Sequence, residues 1–166
     1  MNIEEKLDII MDTPLQLAIR NLKTTMHLIE TSNFSSSMFY LRKVTDHAQQ
    51  AFEYASGKQK NADNFKKSID SLKLVIFSKI LIFSYHEDED KFLPFFLVAK
   101  PKQEAIAREL EDEIRSLISL QKMIKTSKWF PGAKKKEMSE IQNLADGVLQ
   151  MCYPYISIGK GWNEPL

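Results

Sequence analysis

Apolar residues recur along this chain at spacings of three and four almost from end to end, the periodicity of helices that each bury one face. Thr13 followed by Pro14 reads as an N-cap and first helical position, and Leu15, Ala18, Ile19, Leu22, Met26 and Ile29 mark one face through Thr31. The polar stretch TSNFSSS interrupts the pattern, and any of Ser35, Ser36 or Ser37 can cap the next helix. Leu41, Val44, Ala48, Ala51, Phe52 and Ala55 stripe that second helix, which ends near Gly57. After GKQKNAD, a third helix carries Phe65, Ile69, Leu72, Ile76, Ile80 and Phe83. Pro101 opens a fourth long helix, with Ile106, Leu110, Ile114, Leu117, Ile118 and Ile124 on its face, and WFPGA stops it. A last helix spans Lys134 to Cys152, where Pro154 ends it. The predicted fold class is therefore all-α, a single-domain bundle of five long helices or stacked helical hairpins. Within one domain, 1–166, the pattern separates a short helix or arm at 1–12, a helical core at 13–152 and an irregular aromatic tail at 153–166.

Composition fits that reading. The chain has 166 residues, enough for one core but not for two. Five glycines are too few for a turn-rich β protein, and a net charge of +1 gives no global field to attract nucleic acid. Cys152 is the only cysteine, so no intrachain disulfide forms. The start, MNIEEKLDII, carries two glutamates before its short apolar run and lacks the basic start and long apolar core of a signal peptide. A cytoplasmic location is the expectation. The run LVIFSKILIF, Leu74 to Phe83, is half the ~20 residues a membrane span needs and contains Lys79. It predicts a central helix, apolar on most sides.

Two charged segments carry the candidate chemistry. In HEDEDKFLPFF, Glu87, Asp88, Glu89 and Asp90 follow His86 without a gap. On a helix, neighbours point about 100° apart and do not converge on an ion. A calcium loop would need alternating ligands and a glycine, and zinc would need a second histidine or cysteine nearby. The favoured reading is an acidic first turn on a short helix, Lys91 to Val98, ahead of an acidic docking strip or a metal site. The basic counterpart contains Lys122, Lys125, Lys128, Lys134, Lys135 and Lys136, with Trp129 and Phe130 between the two lysine groups. The favoured reading is a solvated helix-helix corner with Trp129 folded inward, ahead of a site for lipid headgroups or phosphates, which basic residues around exposed aromatics suit.

Catalytic motifs are missing. The chain has no phosphate-cradling glycine loop, no nucleophile elbow and no paired-histidine zinc motif. His27, His47 and His86 fall in different segments, and Asp46 beside His47 cannot face it on a helix. No catalytic residue, metal ligand or cofactor is predicted. The tail, by contrast, holds Tyr153, Tyr155 and Trp162 and is too rich in aromatics to be disordered. Packing back onto its own bundle is the favoured reading, ahead of docking into a neighbouring chain or domain, for which Tyr and Trp are favoured anchors.

In the second helix, HAQQAFEYA places Ala48, Phe52 and Ala55 at the spacing of the second helix of a tetratricopeptide repeat, which it resembles over half a repeat. The order of a HAxxAF helix, an apolar helix and a late aromatic tail also resembles helical modules of large invertebrate multidomain proteins. Both resemblances imply an interaction module and no catalytic residue. The expected function is thus a non-enzymatic adaptor or regulatory module that binds another protein, a neighbouring domain or a second copy. Its partner-binding residues would be Trp129, Phe130, Lys134, Lys135, Lys136, Tyr153, Tyr155 and Trp162. The alternative is binding to anionic lipid through the 122–136 corner; nucleic acid is disfavoured.

Overall fold

In the computed structural model, residues 3–56, 62–126 and 134–158 are described, with side chains from residue 13 onward. The all-α expectation holds. Six α-helices are present among the described residues: α1 (Ile3–Glu30), α2 (Phe34–Ser56), α3 (Ala62–Ser84), α4 (Lys100–Glu109), α5 (Glu111–Thr126) and α6 (Lys135–Ile158). Between α3 and α4 lie a two-stranded hairpin, β1 (Tyr85–His86) with β2 (Lys91–Phe92), and a 3-10 turn, Phe95–Leu97.

The link between α1 and α2 is a tight reversal. The Asn33 N–H reaches back to the Leu28 carbonyl at 2.7 Å and the Ser32 N–H to the Ile29 carbonyl at 3.0 Å. This crossed pair is a Schellman motif, and Ser32 takes the left-handed conformation that the motif requires, φ 62. α2 then starts at Phe34, with the Asn33 carbonyl accepting from the Ser37 N–H. The serines expected as caps therefore lie inside the helix.

Small residues let α2 and α3 approach closely. Ala48, Ala51 and Ala55 on α2 are fully buried, as are Ser68, Ser71 and Ser78 on α3. The serine hydroxyls are satisfied locally, Ser68 Oγ donating to the Asn64 carbonyl and Ser71 Oγ to the Lys67 carbonyl. Thr45 and Ser78 bond across the seam at 2.7 Å. With Val44 and Ala48 packed beside Val75 and Ala18, the contacts run antiparallel from α1 to α2 and from α2 to α3. It follows that α1 and α3 point the same way, one on each side of α2.

α3 is the central helix that its apolar run predicts. One face, with Val75, joins the cluster of Ala18, Val44 and Ala48. The adjacent face, with Phe65, Ile69, Leu72 and Ile76, enters a larger core shared with Ile106, Leu110, Ile114 and Leu117 of the α4–α5 region and with Ile141, Ala145 and Val148 of α6.

Four expectations need correction. First, α1 does not open at Pro14; it begins at Ile3 and carries the buried Pro14 inside, one ladder bond short. Second, the single fourth helix is two. The backbone breaks at Leu110, φ −94 and ψ −3, which drops its side chain fully into the core. Third, α6 does not end at Cys152. It runs through Pro154 to Ile158 because Tyr155 and Ile156 are buried, and tertiary packing outweighs the missing proline N–H.

The fourth correction concerns HEDED. It is the turn of a hairpin, not a helix start: Tyr85 pairs with Phe92 and His86 with Lys91. Cross-strand aromatics favour this, Tyr85 and Phe92 standing 5.3 Å apart by ring centroid, with Phe34 edge-on to Phe92 at 5.8 Å. Asp90 closes the turn at φ 48, a conformation aspartate tolerates better than most residues. Its carboxylate accepts the Tyr85 hydroxyl, a bond that pushes the phenol up to about 12.

Candidate functional site

The sequence points to a basic corner and an aromatic tail. Lys134, Lys135 and Lys136 are exposed at the start of α6, and the Lys134 carbonyl accepts the Met138 N–H. They form no ion pair among the described residues. At the other end of the same helix, Tyr153 is 60% exposed but Tyr155 only 3%. Tyr155 is thus a core residue and not an exposed anchor, edge-on to Phe95 at 5.0 Å. Lys134 and Tyr153 are separated by about 28 Å of helix at 1.5 Å per residue, so the two groups do not form one surface. Trp129, Phe130 and Trp162 lie outside the described residues.

The more developed surface is on α1 and α3. Leu15, Ile19, Leu22 and Met26 recur at 4-3-4 spacing, one row round the helix from the buried row of Pro14, Ala18 and Thr25. Ile19 remains 41% exposed and Met26 39%. Opposite them, Asp70, Lys73, Leu74 and Phe77 of α3 form the second wall of a cleft of about 520 Å³. Ala18 and Val44, with Leu22 and Leu74 against them, belong to the small cluster beside it.

Phe77 also forms part of a second apolar cleft, about 510 Å³, between α3, the hairpin and α6, with Leu81, Leu93, Phe95 and Met151. α3 therefore presents apolar side chains to two open clefts in succession. Continuous exposed apolar surface of this kind marks a binding region more often than scattered single residues do.

The sequence held part of this signal. Ile19 and Met26 sit on a face assigned wholly to the core, yet the apolar arc of α1 is wider than one neighbouring helix can cover. The all-round apolar character of α3 likewise demands cover on every side, and the side toward the clefts has only part of it.

One ionisable group lies in the cleft wall. Burial raises the Asp70 carboxyl above its ordinary 3.8, only partly offset by the charges of Lys66 and Lys73. Between the ordinary and the raised value the folded chain keeps a proton that the unfolded chain gives up, so stability falls as pH rises through that window and stays lower above it. Asp70→Asn removes the ionisation. We expect a higher Tm at pH 7 than in the wild type, and a difference that shrinks when the melt is repeated below pH 4. An unchanged Tm at pH 7 would show that Lys66 and Lys73 offset the burial in full.

Among the described residues no helix is long and apolar enough to cross a membrane. Compared with family models, curated proteins and solved structures, the chain matches none.

Proposed function

We propose that this protein is a helical protein-interaction module whose contact surface is the cleft between α1 and α3. The observation that carries this is the uncovered apolar row on α1, with Ile19 and Met26 about two-fifths exposed beside a cleft of about 520 Å³. Burying such side chains contributes roughly 25 cal/mol per Å², a gain open to any partner that fits. The tetratricopeptide-like spacing of Ala48, Phe52 and Ala55 supports the same reading, since α2 turns Ala48 and Ala55 into the core and half-buries Phe52, leaving α1 and α3 to form the walls. An adaptor of this kind needs no catalytic group.

A second reading, contact with anionic lipid through the basic end of α6, draws on the exposure of Lys134, Lys135 and Lys136. One experiment separates the two. A photo-crosslinking benzoylphenylalanine placed at Ile19, and in a second variant at Lys135, is activated in cells that express the protein. Discrete protein adducts from position 19 and not from 135 are the expected result. Adducts from neither position, with salt-sensitive sedimentation on phosphatidylserine vesicles, would reject the first reading in favour of the second.

A further inference from the structure

The walls of the α1–α3 cleft carry information about what lies in it. α1 and α3 run in the same direction on either side of α2, and the apolar row of α1, Leu15, Ile19, Leu22 and Met26 at 4-3-4 spacing, lines the cleft with Leu74 and Phe77 of α3, Asp70 lying one turn before Leu74. Leu15 to Met26 spans about 16 Å at 1.5 Å per residue, three turns of a helix. A helix laid along this trough would complete a four-helix arrangement, its apolar side chains entering between the rows as ridges into grooves.

The rims are basic. Lys23 stands exposed beside the α1 row, and Lys66 and Lys73 stand exposed beside the α3 row. Arg20 lies further round α1, and neither it nor Lys23 has an ion-pair partner among the described residues. The acids nearby are Asp70, in the wall and already faced by Lys66 and Lys73, and Glu30, one turn beyond Met26. Resting on the reading of this cleft as a docking surface, we infer that its occupant is an amphipathic helix of a partner protein with acidic residues flanking its apolar stripe. Charge complementarity decides the class of partner. A second copy docked face to face would set one basic rim against the other in an isologous contact, where like charges are unfavourable. A concave trough also fits a rod better than a flat bilayer.

The test uses the full chain and two synthetic peptides of about four turns, both with Leu at i, i+3, i+4 and i+7. One carries Glu at the flanking positions and the other Lys. Fluorescence anisotropy should give about tenfold or tighter binding for the Glu peptide, weakening as salt rises. Lys23→Glu, Lys66→Glu and Lys73→Glu combined should invert that preference. The Tm of this variant falls, because Lys66 and Lys73 partly offset the burial of Asp70, and binding is compared below it, where circular dichroism shows the variant folded. Ile19→Asp should remove binding of either peptide. Equal binding of both peptides, blocked by Ile19→Asp, would overturn the acidic partner and leave the docking cleft standing. Binding of neither would overturn both. Self-association in sedimentation, lost in Ile19→Asp, would assign the cleft to a second copy. Uptake on anionic vesicles, lost in the triple Glu variant, would assign the rim to lipid.

Discussion

Replacing Lys79 with methionine is expected to destabilise the protein by about 3 kcal/mol, the low end of the range for stripping one partner from a buried ion pair. Lys79 sits within the apolar run of α3, and its Nζ reaches α5, 2.6 Å from Glu113 Oε1 and 3.4 Å from the Glu109 carbonyl. The side chains retain 19% and 12% exposure. Glu113 Oε2 is buried with no hydrogen-bond partner. Lys79→Met removes the cation paired with that carboxylate and leaves a charge in a place water scarcely reaches. The stem of methionine fills much the same volume, so lost packing contributes little. The double variant Lys79→Met, Glu113→Leu should recover most of the loss, since apolar replacement of a whole buried pair is often neutral or stabilising. Urea denaturation of the wild type, both single variants and the double variant closes the cycle. A loss under about 1 kcal/mol for Lys79→Met would place the pair among solvated surface bridges.

This pair also shows how far the sequence could be read. Lys79 is legible as the reason the run cannot be a membrane span, but its partner 34 residues later is not, because nothing local links them. Helix interiors were legible throughout, since their periodicity is a local property. Helix ends were not, wherever tertiary packing decided them. Proline at 14 and 154 reads as a boundary, yet both lie inside helices, Pro14 itself buried and Pro154 followed by the buried Tyr155 and Ile156. The break at Leu110 has no glycine or proline to announce it; a core position draws the side chain in. HEDED reads as a helix start only if Phe92 is assigned to the following helix and not to a strand opposite Tyr85. The α1–α3 cleft was the least legible. Periodicity tells which residues share a face, not whether a neighbour covers it, so Ala18 and Ile19 looked alike although one is fully buried and the other 41% exposed.

The two tyrosines near the end of α6 should respond to substitution very differently. Tyr155→Ala is expected to cost about 3–4 kcal/mol, as for other large buried aromatics, because the ring is 3% exposed and packs edge-on against Phe95 at 5.0 Å. That contact ties the 3-10 turn to α6 and closes one side of the cleft at Met151 and Pro154. Tyr153→Ala removes a side chain 60% exposed and should change stability by no more than about 0.5 kcal/mol. Tyr155→Phe separates ring from hydroxyl and should retain most of the stability. The pH dependence gives an independent check. Burial raises the Tyr155 phenol above its ordinary 10.0, with a smaller push from Cys152, whose own thiol burial lifts from 9.0 to about 12. In each case the folded chain keeps a proton that the unfolded chain releases, so stability falls as pH rises past 9 for the thiol and past 10 for the phenol. Tyr155→Phe removes the second of these and should flatten the alkaline limb above pH 10 relative to the wild type. Equal losses for the two alanine variants, or an alkaline limb in Tyr155→Phe identical to that of the wild type, would show that the last turn of α6 is not held against the core by Tyr155.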